Sequence, residues 1–296
     1  MTEPEPSPSP ASPSTRLHWR ATLFVIVLAW LFVLMPFLFW RGTWFGRKLT
    51  DQEIEKYLAD SEHPRKAQHA LAQIADRIIA HDPTVKRWYP QVERLSYNPI
   101  SELRMTAAWV MGQDNTVASF HVALLRLLQD PDPGVRQNAA LALVRFGDAQ
   151  ARTELRAMLA PFTLAAPRAG TLSFRLKEDD TVNRGTLVAR IQPDQGPVVE
   201  IRSPLPGRFT KKLLAEGARV SPGDAIAQLS PAPDQVWAAL QGLYFFGLME
   251  DLEAVDRYAR GVPGMPEKIQ QQAALTAKAI RARGTAGGVI GGGPGG

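Results

Sequence analysis

This chain repeats itself, at two periods and in two textures, and that constrains its fold more than any other feature. Leu103-Arg104 followed by Ala107-Ala108-Trp109-Val110-Met111 returns 32 residues later as Val135-Arg136 followed by Ala139-Ala140-Leu141-Ala142-Leu143. Each copy leads into a second amphipathic stretch, with Val122, Leu124, Leu125, Leu127 and Leu128 in one and Leu155, Met158 and Leu159 in the other. Asp130-Pro131-Asp132-Pro133-Gly134 between them is a turn that stops one helix and starts the next. A degenerate earlier unit runs from Pro64 through Ala67, Leu71 and Ile74 to Val92 and Leu95. One helix pair cannot bury its apolar stripe alone, so the copies are expected to stack over residues 50–160. An ordinary helical bundle is the alternative. The pattern returns over 234–284, where Val236 to Phe246 and Leu252 to Tyr258 form a helix pair and Ile269-Gln270 leads into Ala273-Ala274-Leu275.

Over 161–233 the texture changes to short apolar alternations punctuated by Gly and Pro, which predicts strands. Here the repeat has a different spacing: Glu178, Val182, Gly185 and Ala189 recur as Glu216, Val220, Gly223 and Ala227, each 38 residues on. Gly170, Gly185, Gly207 and Gly223 are the structural turn glycines of the duplicated module, placed where short strands must reverse.

The run Asp132 to Leu143 resembles the HEAT repeat family, in which Asp-Pro, Val-Arg and paired alanines recur; the resemblance implies an α-solenoid whose small residues let helices approach closely. The duplicated stretch resembles one half of the barrel-sandwich hybrid shared by biotinyl and lipoyl carrier domains and by bacterial membrane-fusion adaptors, which implies two halves about a pseudo-two-fold axis. Carrier domains of that kind hold a modified lysine on the hairpin joining the halves. Here the junction is Gln192-Pro193-Asp194-Gln195-Gly196-Pro197, without an amine to acylate, so no cofactor is expected. Lys177, Lys211 and Lys212 read as solvated charges. The long helical hairpin of the adaptors is missing too.

Upstream, ATLFVIVLAWLFVLMPFLFW from Ala21 to Trp40 carries no charge. Its Leu, Ile, Val and Phe residues favour insertion by about 4–8 kcal/mol, and its length matches a hydrocarbon core. The expectation is a transmembrane anchor over 19–44, with Ala21, Leu28, Trp30 and Trp40 as anchor residues, set in the bacterial inner membrane as a single pass. Three basic residues after the run, Arg41, Arg47 and Lys48, against Arg16 and Arg20 before it place the body on the cytoplasmic side. A cleaved signal peptide is disfavoured, because Trp40-Arg41-Gly42-Thr43-Trp44 offers no small-residue cleavage site. The Pro/Ser-rich tail 1–18 and the Gly-rich tail 285–296 are expected to be disordered.

The net charge of +5 comes from Lys and Arg interspersed with acids rather than massed in a stripe, which argues against nucleic acid as partner. The absence of cysteine removes thiolate nucleophiles, disulfides and cysteine metal sites. The five histidines, His18, His63, His69, His81 and His121, lack metal-ligand spacing, and Gly42 to Lys48 resembles a phosphate loop only superficially. Trp88-Tyr89, Trp109, Trp237 and Tyr244-Phe245-Phe246 are expected in the core, and the acid pairs Asp179-Asp180 and Glu250-Asp251 at solvated turns or helix starts.

The expected fold class is therefore multidomain α+β, an N-terminal transmembrane helix and an α-solenoid interrupted by a small all-β barrel-sandwich hybrid. No catalytic, cofactor-binding or metal-ligating residues are assigned. The expected function is a non-enzymatic membrane scaffold whose partners are the lipid bilayer and unidentified proteins, with no nucleic acid and no small-molecule substrate. The alternatives are a biotin or lipoyl carrier subunit, an envelope transport adaptor, and an enzyme resembling the HEAT-type bilin lyases.

Overall fold

The computed structural model describes residues 23–25, 27–30, 47–60 and 62–289. The chain divides into two compact units, Met1–Thr50 and Asp51–Gly296, and the second holds all the elements that follow. Helices α1 (Asp51–Ala59), α2 (Pro64–Ile79), α3 (Tyr89–Leu95), α4 (Ser101–Met111), α5 (Ala118–Leu127), α6 (Pro133–Arg145) and α7 (Arg152–Ala157) come first. Strands β1 (Phe162–Ala165), β2 (Gly170–Phe174), β3 (Thr181–Val182), β4 (Leu187–Gln192), β5 (Val199–Arg202), β6 (Gly207–Lys212), β7 (Arg219–Val220) and β8 (Ala225–Pro231) follow. The chain then returns to helix in α8 (Pro233–Phe246), α9 (Leu252–Ala259) and α10 (Glu267–Val289).

The 32-residue repeat is visible as repeated bonding. Arg104 Nη1 donates to Asn98 O at 2.9 Å, and Arg136 Nη1 donates to Asp130 O at 2.8 Å, so each arginine reaches back to hold the turn that precedes its own helix. The side chains of Asn98 and Asp130 each accept a turn N–H at 2.9 Å, from Ile100 and Asp132. Arg104 further grips the Asp130 carboxylate at 2.7 and 2.8 Å, tying one turn to the next. The alanine pairs Ala107-Ala108 and Ala139-Ala140 are fully buried, which lets α4 and α6 pack closely. Asp132 caps α6 by accepting from Gly134 N at 2.8 Å, with Pro133 filling the first helical position.

The 38-residue repeat is equally literal. The strands form two four-stranded antiparallel sheets, ordered β1-β8-β6-β3 and β5-β4-β2-β7, and moving each label by four strands converts one order into the other. The recurring acids are reciprocal clasps: Glu178 Oε1 accepts from Lys212 N at 2.9 Å in β6, and Glu216 Oε2 accepts from Phe174 N at 3.0 Å in β2. Asp179 N bonds Phe209 O and Gly217 N bonds Leu172 O, at 2.7 and 2.9 Å. Between the sheets lie Leu172, Val188, Ile191, Phe209, Ile226 and Leu229, all buried.

Two expectations are corrected. Among the described residues no helix is long and apolar enough to cross a membrane. The anchor was placed on Ala21 to Trp40, most of which lies outside the described residues. The single-pass anchor and the inner-membrane location that rested on it are withdrawn. The β segment is not a closed barrel. Its two sheets stay open, because β3 and β7 pair over only two residues each, with β6 and β2 of their own sheets. The tail 1–18 also lies outside the described residues, as does 290–296 of the expected tail 285–296, whose residues 285–289 continue α10.

The β insertion leaves the helical stack continuous. Helix α8 packs on α6 and α7, Gln235 Nε2 donates to Gln137 Oε1 at 2.8 Å, and Tyr258 OH donates to Leu159 O at 2.9 Å. Arg152 on α7 bonds Asp251 at 3.1 Å and Glu250 at 2.5 Å. Asp251, expected at a solvated helix start, is 1% exposed, because Arg152 and Leu248 N together supply the partners that water would otherwise provide. The β unit is fastened by Arg184, in the turn between β3 and β4. Its guanidinium reaches Asp132 Oδ1 at 2.9 Å and Oδ2 at 2.6 Å, Pro204 O at 2.7 Å and Ser101 Oγ at 2.9 Å. Burial alone pushes the Asp132 carboxyl upward; the bonds and charge of Arg184, with Gly134 N–H, overcome that and hold it below the ordinary carboxylate range.

Candidate functional site

The stacking of α4, α6, α8 and α10 leaves a groove of about 660 Å³ on one side of the helical array. Its floor is made of residues too small to fill it. A Cβ on Gly112 would stand 2.7 Å from the Ala142 Cβ, and one on Gly242 would stand 2.7 Å from Leu155 Cδ1, so the helices approach closely where a larger side chain would hold them apart. Its walls are Trp109, Tyr244, Phe245 and Leu275, which are 39%, 42%, 61% and 56% exposed. Tyr244 and Phe245 stand edge to face at 5.3 Å. Arg283 from α10 fixes the end of α8 below them, donating to Tyr244 O at 2.7 Å and Gly247 O at 2.8 Å.

The rim is mostly amide. Gln113, Asn138, Gln241 and Gln272 line it with Arg145. Arg145 Nη1 holds Gln113 Oε1 at 2.6 Å, and Gln113 Nε2 donates to Trp109 O at 2.8 Å. Asn138 Nδ2 donates to Gly134 O at 2.9 Å and Gln272 Nε2 to Thr276 Oγ1 at 3.3 Å, which turns their amide oxygens away from those bonds and free to accept others. Among the described residues no carboxylate, histidine or lysine lines the groove. An apolar trough with aromatic walls and a rim that can both donate and accept hydrogen bonds offers ring contact and polar contact side by side.

The aromatic walls depart from the expectation that these rings lie in the core. Trp88 is fully buried and Tyr89 nearly so, but Trp109, Tyr244 and Phe245 are not. The helical period explains why: α8 buries Val236, Ala239, Leu240 and Leu243, and the next two positions rotate off that face. On α4 the buried face runs through Leu103, Ala107 and Val110, and Trp109 stands outside it.

The residues named from sequence lie elsewhere. Ala21 and Trp40 fall outside the described residues, while Leu28 and Trp30 are exposed in the stretch 27–30. Gly185 and Gly223 occupy equivalent turns at φ +84° and +91°. Gly170 and Gly207 open strands β2 and β6, where a Cβ would stand 2.4 Å from Gln192 O and 2.1 Å from Ser230 O; there the demand is close approach of backbones. The junction Gln192 to Pro197 is an exposed connection in which Asp194 meets Arg219. Among the described residues no three His, Asp or Glu side chains converge as a metal site.

Residues 90–161 match the family of HEAT repeats, a span that takes in most of α3 and all of α4 to α7. No curated protein matches the chain. Repeats of this kind present extended surfaces to other proteins, and the match supports a role as a scaffold for protein interaction.

Proposed function

We propose that this protein is a non-catalytic scaffold whose aromatic groove between α4, α6, α8 and α10 seats a segment of a partner polypeptide. The observation that carries the reading is the gathering of the exposed Trp109, Tyr244, Phe245 and Leu275 around one trough, whereas exposed apolar residues such as Ile79, Tyr97, Val122 and Val198 lie outside it. Four large apolar residues gathered at one concavity mark an interaction site rather than scattered surface apolarity. The amide rim suits a polypeptide, whose main chain offers a donor and an acceptor at every residue. The helices beneath are tied to one another by the Arg104–Asp130 pair and by Arg283, which holds the end of α8 from α10, so binding meets a preformed surface and costs little ordering.

The test is affinity purification of the intact protein from its native cells, with quantification of partner stoichiometry. Wild type is expected to retain one polypeptide at a fixed ratio, and Phe245→Glu with Leu275→Glu is expected to lose it while unfolding at the wild-type temperature. Retention of the same polypeptide at the same ratio by the double variant would refute the assignment of the groove.

A further inference from the structure

A second concavity, of about 590 Å³, lies between α7 and α9, two helices that contribute nothing to the aromatic groove. Each presents one helical face to it: Thr153, Arg156 and Ala157 from α7, and Glu253, Ala254 and Arg257 from α9, with Arg260 at its mouth. The alanines leave a shallow apolar bed, and the three arginines stand over it. Their charges are largely unanswered. Arg156 approaches Asp251 only at 4.0 Å, and that carboxylate already belongs to Arg152. Arg257 lies 5.7 Å from the Tyr258 ring, and among the described residues neither it nor Arg260 has a carboxylate partner. The other acids nearby are engaged, Asp256 by Arg281 at 2.7 Å and Glu250 by Arg152. Only Glu253 puts a negative charge in the lining.

We infer that this groove binds an acidic polypeptide segment, the carboxylates meeting Arg156, Arg257 and Arg260 and the side-chain methylenes resting on Ala157, Ala160 and Ala254. Guanidinium forks pair with carboxylates two bonds at a time, and such pairs gain when one side of the contact is an apolar bed that excludes water. Nucleic acid fits less well. The lining has no aromatic ring on which a base could stack, and Glu253 would stand against closely spaced phosphates.

The experiment is fluorescence anisotropy of a short labelled Glu-Ala repeat peptide with the intact protein, at low and at physiological salt. Saturable binding is expected, weakening with salt. Arg257→Glu with Arg260→Glu should weaken it by about tenfold or more at low salt, and Arg168→Glu, an exposed arginine on the β unit, should leave it unchanged. Glu253→Gln removes the single opposing carboxylate and should tighten binding by about threefold, a gain that damaged folding cannot produce. The inference is overturned if wild type shows no saturable binding, if Arg168→Glu weakens binding as much as the double reversal, if Glu253→Gln fails to tighten it, or if an oligonucleotide of equal charge displaces the peptide at lower concentration than unlabelled peptide does.

Discussion

Arg184→Ala is the substitution that most sharply probes how the β unit is held to the helices. Its guanidinium makes two bonds to Asp132, one to Pro204 O and one to Ser101 Oγ, and the Arg184 and Asp132 side chains are 21% and 17% exposed. Breaking a fully buried pair costs about 3–5 kcal/mol and an open surface pair under about 1. At this partial burial the expected loss is about 2–3 kcal/mol, or roughly 5–10 °C in Tm for a unit of this size. Arg184→Lys keeps the charge and loses the fork, so it should recover less than half. Asp132→Asn in a double-mutant cycle should reveal coupling of about 1–2 kcal/mol. The pH dependence has a definite sign. The Asp132 carboxyl is held below its ordinary 3.8 in the folded chain, so its share of stability is complete above that value and is lost as pH falls through the lower folded value. Arg184→Ala should therefore flatten the acid limb of a denaturant-melting series followed by tryptophan fluorescence. A loss below about 0.5 kcal/mol at neutral pH, or an Asp132→Asn effect unchanged by the absence of Arg184, refutes the reasoning.

Gly170→Ala and Gly207→Ala each drive a methyl into a backbone carbonyl, Gln192 O or Ser230 O, and should each cost about 2 kcal/mol or more in urea melts; wild-type stability in either would contradict the close approach. Gly217 has φ +76° with open space around it, so Gly217→Ala should cost about 1 kcal/mol from backbone strain alone, as a modest shift in urea midpoint without change in slope. Asp251→Ala leaves Arg152 facing a site 1% exposed and should lower stability by about 2–4 kcal/mol, with α8 to α10 losing hydrogen-exchange protection before the β unit. Gly112→Val forces α4 from Ala142 and should cost about 1–3 kcal/mol by calorimetry while weakening partner retention in the groove.

Much of this architecture was legible because the repeats impose the same physical demand twice. Val135-Arg136 and Leu103-Arg104 recur because an apolar residue must enter the core while its neighbour reaches back to the preceding turn. Glu178 and Glu216 recur because each half of the β unit clasps the other. Where the symmetry breaks, the sequence falls silent. Arg184 stands where the second half has Pro222, and its partner Asp132 is 52 residues away, so nothing local distinguishes it from a solvated turn arginine. The aromatic walls could have been found by asking which helical face each ring occupies; adjacency to buried Leu243 or Ala108 misleads, because neighbouring residues point in different directions. The basic groove depends on the pairing of α7 with α9 across the inserted sheets, a juxtaposition made only by the fold. The apolar run at Ala21 to Trp40 lies mostly outside the described residues, among which no helix is long and apolar enough to cross a membrane.

Site-specific photocrosslinking in native cells tests the central claim, that the aromatic groove is where a partner polypeptide lies. A photoreactive phenylalanine analogue is placed at Phe245, at Leu275 and, for comparison, at the exposed Val122 of α5. One and the same polypeptide should be captured from positions 245 and 275 and none from 122. Capture of nothing from the groove, or equal capture from all three positions, would contradict it.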